Sequence, residues 1–139
     1  MPLHPRIVHF PLALFVIAAC AAFYAAVRGH QRTDDLAFKS LVAGWLLLFP
    51  TAVTGLMELS QLPLDDPRRP AVNLHITAFF ATLALTGFLI YWRLRKPEMM
   101  QRWTWRWAYV AGVLGAAIVA LWLGHTGGVL VYELGIGVR

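Results

Sequence analysis

Four apolar runs divide this chain and leave it few ways to fold: Ile7 to Val27, Leu36 to Met57, Ala71 to Trp92, and Trp107 to about Val129. Each is close to the roughly 20 residues needed to cross a hydrocarbon core as a helix. Lipid offers no partner for unpaired backbone groups, so all four are expected to be helical. In 139 residues, 59% hydrophobic with a mean hydropathy of +0.61, there is more apolar material than one small soluble core could bury. The reading is a single all-α integral membrane domain spanning residues 1–139. Short links between successive spans predict an up-down-up-down four-helix bundle in which the first helix is diagonal to the third and the second to the fourth.

The net charge of +5 is unevenly spread. Links 1–2 and 3–4 hold Arg28, Arg32, Lys39, Arg93, Arg95, Lys96, Arg102 and Arg106 against Asp34, Asp35 and Glu98. The opposite side holds Arg6, Arg68, Arg69 and Arg139, balanced by Glu58, Asp65, Asp66 and Glu133. The positive-inside rule then places both termini away from the cytoplasm. In a bacterial inner membrane they would be periplasmic. Trp92, Trp103, Trp105, Trp107, Tyr91 and Tyr109 form an aromatic belt at the basic boundary. The basic charge is therefore a topology signal, and nucleic acid is not an expected partner.

Cys20 stands alone, which excludes an internal disulfide and a thiolate cluster. It reads as a small apolar helix residue in preference to a lipoprotein cleavage site. Pro50 interrupts the second span, where a kink or a freed carbonyl near Leu46 is expected. Polar stripes run along Thr51, Thr54 and Glu58, and along His75, Thr82 and Thr86, and belong inside the bundle. Gly112, Gly115, Ala116, Ala117 and Ala120 would let the fourth helix pack closely on its neighbours.

At about 1.5 Å rise per residue, His9, Glu58, His75 and His125 each lie roughly 26–28 Å from the basic end of their own span. Ionisable groups at one level in a membrane interior are costly and usually face one another or a cavity, so this level is the candidate site. His4 and His9 sit in the run His4-Pro5-Arg6-Ile7-Val8-His9-Phe10-Pro11, with His9 just inside the boundary and His4 just outside. His75 heads the polar stripe of the third helix, and Asn73, Glu58 or a freed carbonyl could orient its ring. His125 precedes Thr126-Gly127-Gly128, whose glycines act either as a helix cap or as a bed for a flat group.

The stretch from His4 to Pro11, Thr54-Gly55 followed by Glu58, His75, and the closing Gly-Gly-Val-Leu-Val-Tyr with Gly135-Ile136-Gly137-Val138 resemble a family of bacterial four-helix membrane proteins known only as a domain of unknown function. The likeness runs over nearly the whole chain. It implies the four-span fold and an association with redox modules such as cytochrome c or Rieske proteins. It also implies that Glu58 stands where aspartate is commoner, and that the position of His125 varies.

Three functions fit these residues. The first is a b-type haem held by His9 and His75, or by His125 and His75, serving electron transfer with a membrane or periplasmic redox partner. Gly127 and Gly128 would lie against the ring, and Arg6, Arg68 or Arg69 would pair with propionates. The second is a compact zinc, copper or iron centre built from His9, His75 and His125 with Glu58 or His4. The third is an accessory or assembly subunit whose interior polar groups bond one another. A hydrolase, kinase or thiol oxidoreductase is not expected, because no nucleophile-base-acid set, phosphate loop or cysteine pair occurs.

Overall fold

A computed structural model of the chain describes residues 7–136. Its backbone forms four long helices: α1 (His9–Arg28), α2 (Gln31–Leu59), α3 (Arg69–Arg95) and α4 (Trp103–Gly128). A 3₁₀ turn, Pro97–Gln101, leads into α4, and a π-helical turn, Val129–Glu133, extends it. Among the described residues the four helices are long and apolar enough to cross a membrane. The helices overrun the apolar runs because charged residues at their ends, such as Asp34 and Asp35 in α2, leave the bilayer without leaving the helix.

α1 ends where Gly29 takes a φ of 67° and returns its N–H to the Ala25 carbonyl at 2.8 Å. A glycine adopts that left-handed backbone without steric cost, so the chain reverses at once into α2. The packing is sequential and antiparallel: α1 lies on α2 and α4, α3 lies on α4 and, least extensively, on α2. The diagonals are α1 with α3 and α2 with α4, so the expected up-down-up-down bundle is formed and residues 7 and 136 lie at one end.

The tight half of the bundle is built on small residues. Ala18, Ala19, Ala22 and Ala26 of α1 are buried, and the Phe15 ring sits so close to Gly44 that an added methyl there would lie 2.8 Å from its Cε1. Leu41, Leu89, Val110 and Val113 complete this core. Without a hydrophobic force between helices in lipid, such close van der Waals contact is what holds them together. The apolar windows of α2 and α3 are only 28% and 22% buried inside the protein, against 44% and 39% for α1 and α4, so α2 and α3 give most of their surface to lipid.

Where α2 and α3 do meet, Trp45 Nε1 donates to the Leu83 carbonyl at 3.1 Å, with Gly87 leaving room for the indole. α2 continues through Pro50 without a break. The Thr51 hydroxyl donates to the Leu47 carbonyl at 2.8 Å, and that of Thr54 to the carbonyls of Pro50 and Thr51 at 3.2 and 2.9 Å. From Thr51 onward a groove opens between α2 and α3.

Candidate functional site

The groove occupies the end of the bundle opposite the basic belt and has a volume of about 160 Å³. α2 supplies Thr51, Gly55 and Glu58; α3 supplies Val72, His75, Ile76, Phe79 and Phe80; Gly127, Leu130, Val131 and Ile136 close it from the C-terminal side. Leu56 and Phe80 in its lining are exposed by 63% and 60%, so the groove is open to the surface there.

His75 is half-buried, and its Nδ1 lies 3.0 Å from Thr126 Oγ1 of α4. The Thr126 hydroxyl has one proton and donates it to the Leu123 carbonyl at 2.9 Å. It therefore accepts from His75, which fixes a proton on Nδ1. Gly127 makes this approach possible: a Cβ there would stand 3.1 Å from His75 Cε1. The flat group lying on this part of α4 is thus the His75 imidazole itself. Gly128 is directed elsewhere, with the Tyr132 ring 4.0 Å from where its Cβ would be.

Glu58 is half-buried on the same groove, and its carboxylate makes no hydrogen bond or ion pair with a described residue. The two arginines of the α2–α3 connection bond elsewhere. Arg68 forms a two-pronged ion pair with Asp66, at 2.9 and 2.7 Å, and donates from Nη1 to the Leu134 carbonyl at 2.9 Å. Arg69 donates to the carbonyls of Pro63 and Leu62 at 3.1 and 2.9 Å. Both arginines staple the turn-rich connection rather than project toward a propionate. The hydrogen bonds from Arg68 hold the Asp66 carboxyl down at about 2, and the same bond raises the Arg68 guanidinium.

Two of the other predicted site residues lie outside the groove. His9 and His125 are exposed, and neither lines the groove. His4 and Arg6 lie outside the described residues. Among the described residues no three of His, Cys, Asp and Glu gather closely enough to hold a metal ion. The buried threonines deeper in α3 serve their own helix: Thr82 donates to the Ala78 carbonyl at 2.8 Å and Thr86 to that of Thr82 at 2.6 Å.

Thr126 was the partner not anticipated from sequence, although its signal was present. The buried stripe of α4, Val113, Ala116, Ala117, Ala120 and Leu123, advances in steps of three and one and reaches Thr126, leaving His125 on the outer face.

Four antiparallel spans enclosing a lateral groove with one histidine and one carboxylate define a small polytopic helical membrane protein. The whole chain, residues 1–139, matches the family described as Predicted membrane protein (DUF2231), and the protein belongs to that family. No curated protein and no solved structure matches it.

Proposed function

We propose that this protein binds a small lipophilic molecule with a polar head, taken from the lipid phase through the α2–α3 opening. The observation that carries this reading is the presence of Glu58 and His75 on the walls of a mostly apolar groove whose lining reaches the exposed surface at Leu56 and Phe80. An ionisable group such as Glu58 is expensive at such a level unless it faces another group or a cavity. The volume supports one ring or a short length of chain. About 160 Å³ is close to the roughly 150 Å³ of a cavity that accepts benzene, and below the roughly 300–1,000 Å³ of drug-sized sites.

The test is photolabelling in lipid nanodiscs with a long-chain alcohol carrying a diazirine near its head. Labelling is expected on α2 and α3 residues of the groove, and it is lost in Gly55→Phe, which fills the space. It is retained in Gly115→Phe, a control on α4 outside the groove lining, where an added Cβ meets nothing within 4 Å. Labelling spread evenly around the bundle would overturn the reading.

A second reading keeps a metal or a b-type haem on His75. It is favoured by the Nδ1 donation to Thr126, the outer-shell arrangement that orients metal-bound imidazoles, and by Glu58 as a neighbouring oxygen donor. Against the macrocycle stand the exposure of His9 and His125 and a groove of one-ring size. A haem spectrum or stoichiometric metal in detergent-purified protein, lost in His75→Ala, decides for it. Colourless, metal-free protein decides against it, and against electron transfer with a redox partner.

A further inference from the structure

We infer that the ligand is a lipophilic cation, an ammonium or similar group on an apolar body, with Glu58 as its counter-ion; this rests on the groove being a ligand site. The inference starts from the one carboxylate in the groove. Glu58 stands on an apolar wall with no hydrogen bond or ion pair from a described residue, while Arg68 and Arg69 of the α2–α3 connection donate to Asp66 and to backbone carbonyls. An unpaired carboxylate in low dielectric is stabilised most by a positive partner, and it repels an anion.

The remaining polar lining agrees. Thr51 gives its only hydroxyl proton to the Leu47 carbonyl, so toward the groove it can only accept. A ligand that donates is matched by such walls; a carbonyl or carboxylate head is not. Phe79 and Phe80 also line the groove, with ring centroids 5.6 Å apart in an edge-to-face pair. Aromatic faces attract ammonium groups once water is excluded. The apolar body would leave between Leu56 and Phe80 into lipid.

The experiment compares three diazirine probes of identical chain length, an alkylammonium, an alcohol and a carboxylate, on full-length protein in zwitterionic nanodiscs. The ammonium is expected to label the groove in preference to the alcohol by about tenfold, the scale of one hydrogen bond to a charged group, and the carboxylate least. Glu58→Gln should erase that preference while leaving alcohol labelling in place, and Glu58→Asp should restore most of it. Equal labelling by all three probes, unaffected by Glu58→Gln, overturns the cation and leaves the groove standing. Failure of every probe to label the groove overturns both. Should Glu58→Gln not fold, the ranking of the three probes on the unaltered protein decides alone.

Discussion

His75 of α3 and Thr126 of α4 are joined by a hydrogen bond of 3.0 Å whose direction is set by a third group, the Leu123 carbonyl. The bond ties two helices together at the groove and determines which imidazole nitrogen carries the proton. Thr126→Val keeps the shape and removes the acceptor, leaving a half-buried N–H without it. The expected loss is about 0.6–1.7 kcal/mol, the range of interhelical bonds in membrane proteins. Unfolding in mixed micelles of Thr126→Val, His75→Gln and the double variant measures the coupling. Strictly additive costs would mean that the pair contributes nothing.

The glycines should rank by what their missing methyl would meet. At Gly44 a Cβ would stand 2.8 Å from the ring of Phe15, which is 1% exposed and has nowhere to move. Gly44→Ala should cost about 1–3 kcal/mol, as overpacked cores do. Gly127→Ala meets His75 Cε1 at 3.1 Å and should tilt the ring away from Thr126, costing less in stability than in groove labelling. At Gly115 nothing lies within 4 Å, so Gly115→Ala should be neutral or stabilising by up to about 1 kcal/mol through helix propensity. Thermal midpoints in detergent order the three, and equal penalties at Gly44 and Gly115 would refute the packing account.

The four helices were legible in the sequence; rotation about each helix axis was not. The apolar runs marked the spans, because a helix of nearly invariant rise needs about 20 residues to cross a hydrocarbon core. Which way a side chain faces depends on a 100° step per residue and on the neighbour it packs against. His75 shares its stripe with Thr82 and Thr86, both fully buried, and faces inward with them. His125 is one step from Thr126 and faces out, and His9 is exposed although Pro11 is buried. Glu58 reached the groove through its spacing from Thr51 and Gly55, all on the α3-facing side of α2. The staple made by Arg68 could not be read, because it depends on the path of the Leu134 backbone, with Gly135 at a φ of 65° turning the chain back so that Ile136 N–H reaches the Leu130 carbonyl.

Acid should loosen that staple. Asp66 is lowered to about 2 from an unfolded value of 3.8, so the folded state binds its proton less readily than the unfolded state. Its contribution is fully present above pH 3.8, and declines as pH falls toward 2. The quantity to follow is the difference in unfolding midpoint between the unaltered protein and Arg68→Ala. It should be constant at pH 5–7 and fall as pH drops through about 2, leaving the part contributed by the bond to the Leu134 carbonyl. A difference as large at pH 2 as at pH 7 would assign the effect of Arg68 to its bond with Leu134 alone.

At the basic end, Arg93 in the last turn of α3 pairs with Asp34 in the first turn of α2. Its guanidinium carbon also lies 5.8 Å from the Phe38 ring and 5.4 Å from the Tyr109 ring, so α4 is drawn into the same contact. The two charged side chains are 13% and 17% exposed, which puts the pair much nearer the buried than the surface limit. Removing one member of a buried pair strands the other, so Arg93→Ala should cost toward the lower end of roughly 3–5 kcal/mol. Arg93→Lys should recover only part of this, since an ammonium lacks the planar fork that meets a carboxylate in two places and stacks on rings. The double replacement Arg93→Met with Asp34→Leu should recover most of it, because no charge is then left alone in an apolar setting. Unfolding midpoints of the four proteins check the order. A cost for Arg93→Ala of about 0–1 kcal/mol, the range of exposed pairs, would show that water reaches the contact and that Asp34 never needed its partner.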